Sequence, residues 1–397
     1  MTSDRDGRQF RLLTIHYVLW SLGMSLACGF VDAYILRLGF GIPATLCLHA
    51  SLLLLRFSIR AVVLPLIRRL GMRQAMLLGA AIAALQFLPL IRASQPAWLA
   101  AWIGIVSLGE CIYWPIYHAA NAVCGGADGR RGRQLALRQM ASTATSIIGP
   151  VVGGLMLTRL GPAAEFGTAS ALTLASITPL FWMGPINLGR VPTMRESIRA
   201  ADRVGMLAFA ADGWISAGLG IAWPMILFTS LNSSYDALGW AGSAAAVAGA
   251  LAGLGCGVAI DKGYRHRMAR LITLGLLLGI AIRVASAWAP WAALLANVLA
   301  AAVGGLYVPT LMSVIYDRAK RSGSAYQFHL SAEAGWDTGC ILGCIASAAV
   351  ACTGIATTFS VVPAILGVVL LHRCIRAEPS QTPARAPALA GAVPALV

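Results

Sequence analysis

Charge is scarce in this chain. Of its 397 residues only 11% are Asp, Glu, Lys or Arg, where a soluble domain carries about 25%. So few charges cannot cover a water-facing surface, and the 58% of hydrophobic residues must face lipid instead. Lysine is nearly missing: Lys262 and Lys320 apart, every basic residue is Arg. Acids are outnumbered 15 to 30, leaving a net charge of +15. A basic excess can mark a nucleic-acid partner, but here the basic residues form no patch or arm; they fall in short clusters between apolar runs, which excludes nucleic acid and points to membrane topology. The nine cysteines are an odd number and mostly sit inside apolar stretches, with no spacing of a disulfide framework or a zinc site. Cys340 and Cys344, four residues apart and close to Glu333 and Asp337, make a poor soft-metal set and read as small packing residues. There is no HExxH and no cofactor loop, so no metal, no cofactor and no enzymatic activity are expected. The run Leu12–Leu36 is too long for a signal peptide and ends without a small-residue cleavage site; it reads as a retained helix.

Long apolar runs are what the chain does have. A bilayer core takes about 20 residues of helix, and twelve spans fit, at 12–37, 43–66, 74–92, 96–122, 139–158, 166–186, 204–230, 237–259, 269–288, 291–316, 325–350 and 354–373. The runs are too long, and alternate too little, for barrel strands. With both termini cytoplasmic, 24 of the 30 basic residues fall on the inner side and only Arg37, Arg92 and Arg159 on the outer, with Arg56, Arg60 and Arg283 inside spans. An odd error in the helix count would scramble this bias. The expectation is an all-α polytopic protein with twelve transmembrane helices in two six-helix bundles, residues 1–186 and 204–374. A basic linker at 187–203 joins them, and a Pro- and Ala-rich disordered tail follows at 375–397. Arg- and Ala-rich, Lys-poor usage suggests a bacterial source, hence an inner membrane.

The halves echo each other. Arg68-Arg69-Leu70-Gly71-Met72-Arg73 ends span 2 and Asp261-Lys262-Gly263-Tyr264-Arg265-His266 ends span 8, at an offset of 193; Tyr113-Trp114-Pro115 matches Tyr307-Val308-Pro309, and Gly149 matches Gly343, both at 194. Such duplication is common in transporter folds, with the solute site between the repeats. The segment Gly257-Val258-Ala259-Ile260-Asp261-Lys262-Gly263-Tyr264-Arg265-His266-Arg267 resembles the loop signature of the major facilitator superfamily. The equivalent loop of spans 2 and 3 departs from it, with Arg68 at the expected Asp and Leu64 at the expected first Gly. Gly149-Pro150-Val151-Val152-Gly153-Gly154 in span 5 is similar to the motif of that family's proton-coupled exporters, with Thr145 at its leading Gly. The resemblance implies a monomeric secondary transporter that exports a small organic compound against protons, gated by these loops. Asp261 would face the start of span 5 near Arg138, either as a latch or as a static anchor, since a helix N-terminus favours negative charge.

Charges inside spans are the candidate site, because each costs about 2.5–3.5 kcal/mol at mid-bilayer. Glu110, Trp114, His118 and Asn121 share one face of span 4, flanked by Tyr113 and Tyr117. Glu110 reads as a proton carrier or solute contact, or else as a buried acid bonded to a neighbouring helix. His118 lies nearer the inner end, as a proton shuttle or a water-facing histidine. Arg56 needs an acid or an anionic solute, with Glu110 and Asp32 available in the same half, while Arg60 reads as snorkelling inward. Asp32 suits an interfacial role equally. Glu333, Trp336 and Asp337 open span 11; the two acids can share a proton, or Glu333 can pair with Arg318 or Arg321. Asp212, Trp214 and Tyr307 are candidates from the second half, and Arg283 reads as structural or outward-snorkelling. Two other readings stay open: proton-coupled uptake of an anionic or zwitterionic metabolite bound by Arg56, and a membrane sensor that has lost transport.

Overall fold

The computed structural model describes residues 2–123, 131–186, 190–199, 201–261, 265–289 and 291–376. The described chain is helical, without strands. It runs α1 Thr2–Arg37, α2 Ile42–Leu70, α3 Met72–Ala84, α4 Pro96–Val123, α5 Arg131–Arg159, α6 Pro162–Ala175, α7 Met194–Arg199, α8 Arg203–Ser216, α9 Trp223–Ser230, α10 Tyr235–Asp261, α11 Arg265–Ala285, α12 Trp291–Arg321, α13 Ala325–Ala351 and α14 Ala364–Arg376. Ten stretches of the described residues are long and apolar enough to cross a membrane. The expected spans at 166–186 and 237–259 are helical too, but fall outside those ten: α6 is 14 residues long and gives way to a 3-10 turn at Thr178–Trp182, and α10 loses its described side chains after residue 253. The protein is a multi-pass membrane protein.

Sequence punctuation sets the breaks. Gly71 ends α2 and starts α3 at φ 77°, and Gly161 separates α5 from α6 at φ 82°; a Cβ is strained at such angles, so glycine makes each one-residue reversal possible. The expected span 204–230 is not one regular helix. A π-helical turn, Ala217–Ala222, lies between α8 and α9, a widening that often marks a functional position. Pro65, Pro115 and Pro150 sit inside α2, α4 and α5, which neighbouring helices make tolerable in a bundle. Leu54, Val62, Leu251, Leu274 and Ile345 point outward, as lipid-facing residues do. Trp288 and Trp291 are exposed where α11 hands over to α12, the level at which tryptophans anchor to headgroups.

Two pairings of helices distant in sequence position the site: α2 packs along α13, and α5 along α10. The N-terminal part of α13 also meets α4, with Tyr326 and Leu330 buried among Leu64, Tyr113 and Tyr117.

Candidate functional site

The site is built on α2. Its residues His49, Arg56 and Arg60 stand at i, i+7 and i+11, on one face. Both arginines are buried, at 4% and 2% exposure, against an Asp337 of 0%. Arg56 Nε donates to Asp337 Oδ1 at 2.7 Å and its Nη2 donates to the same oxygen. Arg60 Nη2 donates to Asp337 Oδ2. One carboxylate of α13 thus straddles two guanidinium groups of α2. Arg56 Nη1 reaches the other way, to Glu110 of α4. The two cations and two anions balance, which is the condition for burying them, since an unpaired charge in such surroundings costs several kcal/mol.

The sequence left Glu110, Asp32 or an anionic solute open for Arg56, and Arg56 bonds Glu110. It did not anticipate the partner of Arg60, which does not snorkel: Asp337, 277 positions away, holds it in the interior. Nor does Arg56 bond Asp32. That acid accepts from His49 Nε2 at 2.6 Å, an α1–α2 contact the sequence reading missed, although the spacing of His49 from Arg56 on one helix face was visible.

The rest of the cluster extends from both sides. Arg56 lies 5.1 Å over the ring of Trp336, whose Nε1 donates to Asp212 Oδ2 at 3.0 Å. The hydroxyl of Tyr307 donates to the other oxygen of Asp212, tying α8, α12 and α13 together. Toward the start of α13, Glu333 Oε1 stands 3.8 Å from His118 Nε2, and His118 stacks between Trp114 and His329. Of the two loop arginines considered for Glu333, Arg318 is engaged by Asp202 at 2.9 Å, and the two α13 acids are drawn to different partners, Glu333 to His118 and Asp337 to the arginines of α2. Trp214 is also spoken for, donating to the Pro363 carbonyl at 2.7 Å.

Other members of the expected aromatic face turn away. The ring of Tyr113 is buried on α1, where it stacks on Trp20. His16 Nδ1 is 2.8 Å from the Ser176 carbonyl and its Nε2 is 2.7 Å from the Tyr113 hydroxyl. A carbonyl only accepts, so Nδ1 carries the hydrogen and the tyrosine donates to Nε2. Tyr117 stacks on Tyr17, and Asn121 lies partly buried at the end of the described side chains of α4. Arg283 does not snorkel either; it is buried with its guanidinium 4.9 Å over Trp223. The carboxyl of Glu165, which the sequence reading passed over, is fully buried in α6 with no hydrogen-bond partner on either oxygen.

The loop and glycine motifs separate in the same way. Arg68 donates to the Pro192 carbonyl at 3.1 Å and Arg73 to that of Phe181, so the basic turn from α2 into α3 clasps the segments after α6, while Arg69 is exposed beside Gly71. Gly149 and Gly153 lie against α1: a Cβ on either would sit 2.1 Å from Ser25 Oγ or from the Leu26 carbonyl oxygen. Gly154 lies against the Tyr235 carbonyl, and Pro150 against Gly239. Lys262 and the side chains of Arg138, Asp261 and Arg265 lie outside the described residues, as do the surroundings of Gly257, so the expected Asp261 contact does too; Arg267 is described, and exposed.

No protein-family model matches the sequence, and no curated protein does. Solved structures do match. The E. coli fucose:proton symporter FucP superposes with a TM-score of 0.64 at 14% identity, over 92% of this chain and 97% of that one. A D-xylose-proton symporter gives 0.66 at 14% identity, over 93% and 96%. A POT family transporter in complex with 5-aminolevulinic acid gives 0.69 at 11% identity, over 92% and 94%. These neighbours are transport proteins, not enzymes, and the chain has the major facilitator transporter fold.

Proposed function

We propose that this protein is a secondary transporter that couples movement of a small organic solute to protons by alternating access. In this reading residues 1–186 and 204–374 form two six-helix bundles that rock about the linker, with α6 plus its 3-10 turn and α10 completing twelve spans. Both termini face the cytoplasm of a bacterial inner membrane, as the bias of basic residues supports.

One observation carries the proposal: Asp337 of α13, with no exposed surface, is neutralised by Arg56 and Arg60 of α2. Buried charges in spans are functional candidates by default. This one also joins the proposed bundles. If they part, either the acid or the arginines must find new partners, so what occupies the site and which way the molecule opens become linked. Glu333 and His118 offer the proton a place. Asp337 and Glu110 already balance the two arginines, and Glu333 has His118 beside it, a group that exchanges protons near neutral pH.

The export direction rests on the glycine series of α5, whose members here pack on α1 and α10. That supports a packing role, so the proposal stands on coupling rather than on direction. In proteoliposomes an imposed pH gradient drives accumulation of a solute found by thermal-shift screening. Glu333→Gln keeps solute-for-solute exchange but loses the pH-driven component. If no solute of a broad panel crosses in either direction, the protein is a non-transporting sensor of this fold and the proposal fails.

A further inference from the structure

We propose that the solute carries a carboxylate, which binds by displacing Asp337 from the Arg56–Arg60 pair and brings one proton with it. The inference rests on the transport reading above and names the ligand of the same site.

The donors decide the class. A guanidinium presents five N–H donors in a fork that matches a carboxylate. Arg60 spends only Nη2 on Asp337; its Nε and Nη1 are buried and have no hydrogen-bond partner. A residue 2% exposed with unmet donors inside an ion cluster is a place for another acceptor. The cluster excludes a cationic solute, since two guanidinium groups face the position. It is also matched to a single carboxylate, because that is what Asp337 places there, with Oδ1 on Arg56 and Oδ2 on Arg60. Beside it, the Trp336 ring under Arg56 offers a flat apolar surface for the body of a solute. Its indole N–H is held by Asp212, so the ring is fixed in advance.

Displacement explains the coupling. When an incoming carboxylate takes both arginines, Asp337 loses all its bonds to them while remaining wholly buried. The groups near it are Glu333 and Cys340 on its own helix and Cys111 of α4; Glu110 stands across Arg56, and Glu333 stands at His118. None supplies a replacement cation. A stranded buried carboxylate costs several kcal/mol, and a proton relayed from water by His118 and Glu333 onto one of its oxygens removes that cost. One negative charge and one proton enter together, the cluster stays neutral, and the two leave together. This is symport, with one proton per carboxylate.

The test is chemical rescue on the purified full chain. Asp337→Ala leaves a gap the size of formate. Formate should raise the melting temperature of the variant well beyond its effect on the wild type, and formamide should not. Equal effects of formate and formamide, or an equal rise with inorganic phosphate, overturn the carboxylate assignment. Should the variant fail to fold, the wild type decides: a thermal-shift panel of paired carboxylates and carboxamides is screened, and hits are added to weakly buffered protein with a pH indicator dye. Carboxylate hits that each draw one proton support the inference. Carboxamide or amine hits that are transported overturn it while leaving transport standing, and absence of flux for every hit removes the transport reading itself.

Discussion

Two seams join helices far apart in the sequence, and they are made of opposite materials. Along α2–α13 the contacts are ionic: Arg56 and Arg60 against Asp337. Along α5–α10 they are backbone and small side chains, with Pro150 against Gly239 and Gly242, Gly154 against Tyr235, and Ser243 donating to the Ile147 carbonyl at 2.5 Å. In lipid, close approach of small residues is how helices associate without a hydrophobic drive. Such a contact can tilt while losing only a little dispersion energy at a time. An ion cluster cannot: it is paired or re-paired, with an expensive state between. The charged seam is suited to hold two discrete states, and the glycine seam to let them interconvert.

The largest effect should come from breaking the charged seam at one partner. Asp337→Ala leaves Arg60 buried without an acid and should cost about 3–5 kcal/mol, the usual penalty for a stranded buried charge, together with loss of solute flux. Removing both members separates stability from function. Arg60→Met with Asp337→Leu keeps Arg56 paired to Glu110 and should recover most of the melting temperature, because apolar replacement of a whole buried pair is often neutral or better. Flux should stay lost. Recovery of flux in the double variant would make the pair structural and erase the contrast between the seams.

The glycine seam should break more gently. A Cβ on Gly239 would stand 2.3 Å from the Pro150 carbonyl oxygen, which neither backbone can avoid without moving apart. Gly239→Ala should therefore cost about 1–3 kcal/mol, as overpacking does. It should slow transport without moving its pH dependence. A shifted pH profile would mean that this seam also senses the proton.

How much of this was legible in the sequence follows from the same contrast. Ten of the expected spans were readable because lipid imposes a composition on every residue that touches it, and the helical breaks at Gly71 and Gly161 followed from their residue type. Glu110 was readable as one candidate for Arg56 because both lie deep in spans of the same half, but nothing local chose it over Asp32. Asp337 as the partner of both arginines was not readable, since no local rule links positions 277 and 281 apart. Arg60 reads as snorkelling when depth follows distance to the helix end, whereas burial depends on the neighbour across the seam. The glycines of α5 were visible as small residues. What they touch, Ser25, Leu26 and Tyr235, is a property of the packed bundle alone.

The smallest effect belongs outside both seams, at the entrance to α8. Asp202 accepts the Gly205 N–H at 2.7 Å, capping the helix, and pairs with Arg318 of α12 at 2.9–3.1 Å. Partial burial pushes its carboxyl up, but the Arg318 hydrogen bonds and the backbone donors outweigh it, and the net shift is downward. A carboxyl lowered on folding stabilises the fold at pH values above its unfolded value of about 3.9, and that contribution is lost as pH falls through the lower folded value. Asp202→Asn keeps a good N-cap and removes only the charge, so at pH 7 it should cost no more than about 1 kcal/mol, as partly exposed ion pairs do. Asp202→Ala removes the cap as well and should cost about 1 kcal/mol more. Melting curves of the detergent-solubilised protein across pH 3–7 check both. The gap between the Asn variant and the wild type should narrow toward the acid end, as the wild-type carboxyl takes up protons, whereas a gap that stays constant with pH would assign the contact to capping and leave Arg318 without a part in it.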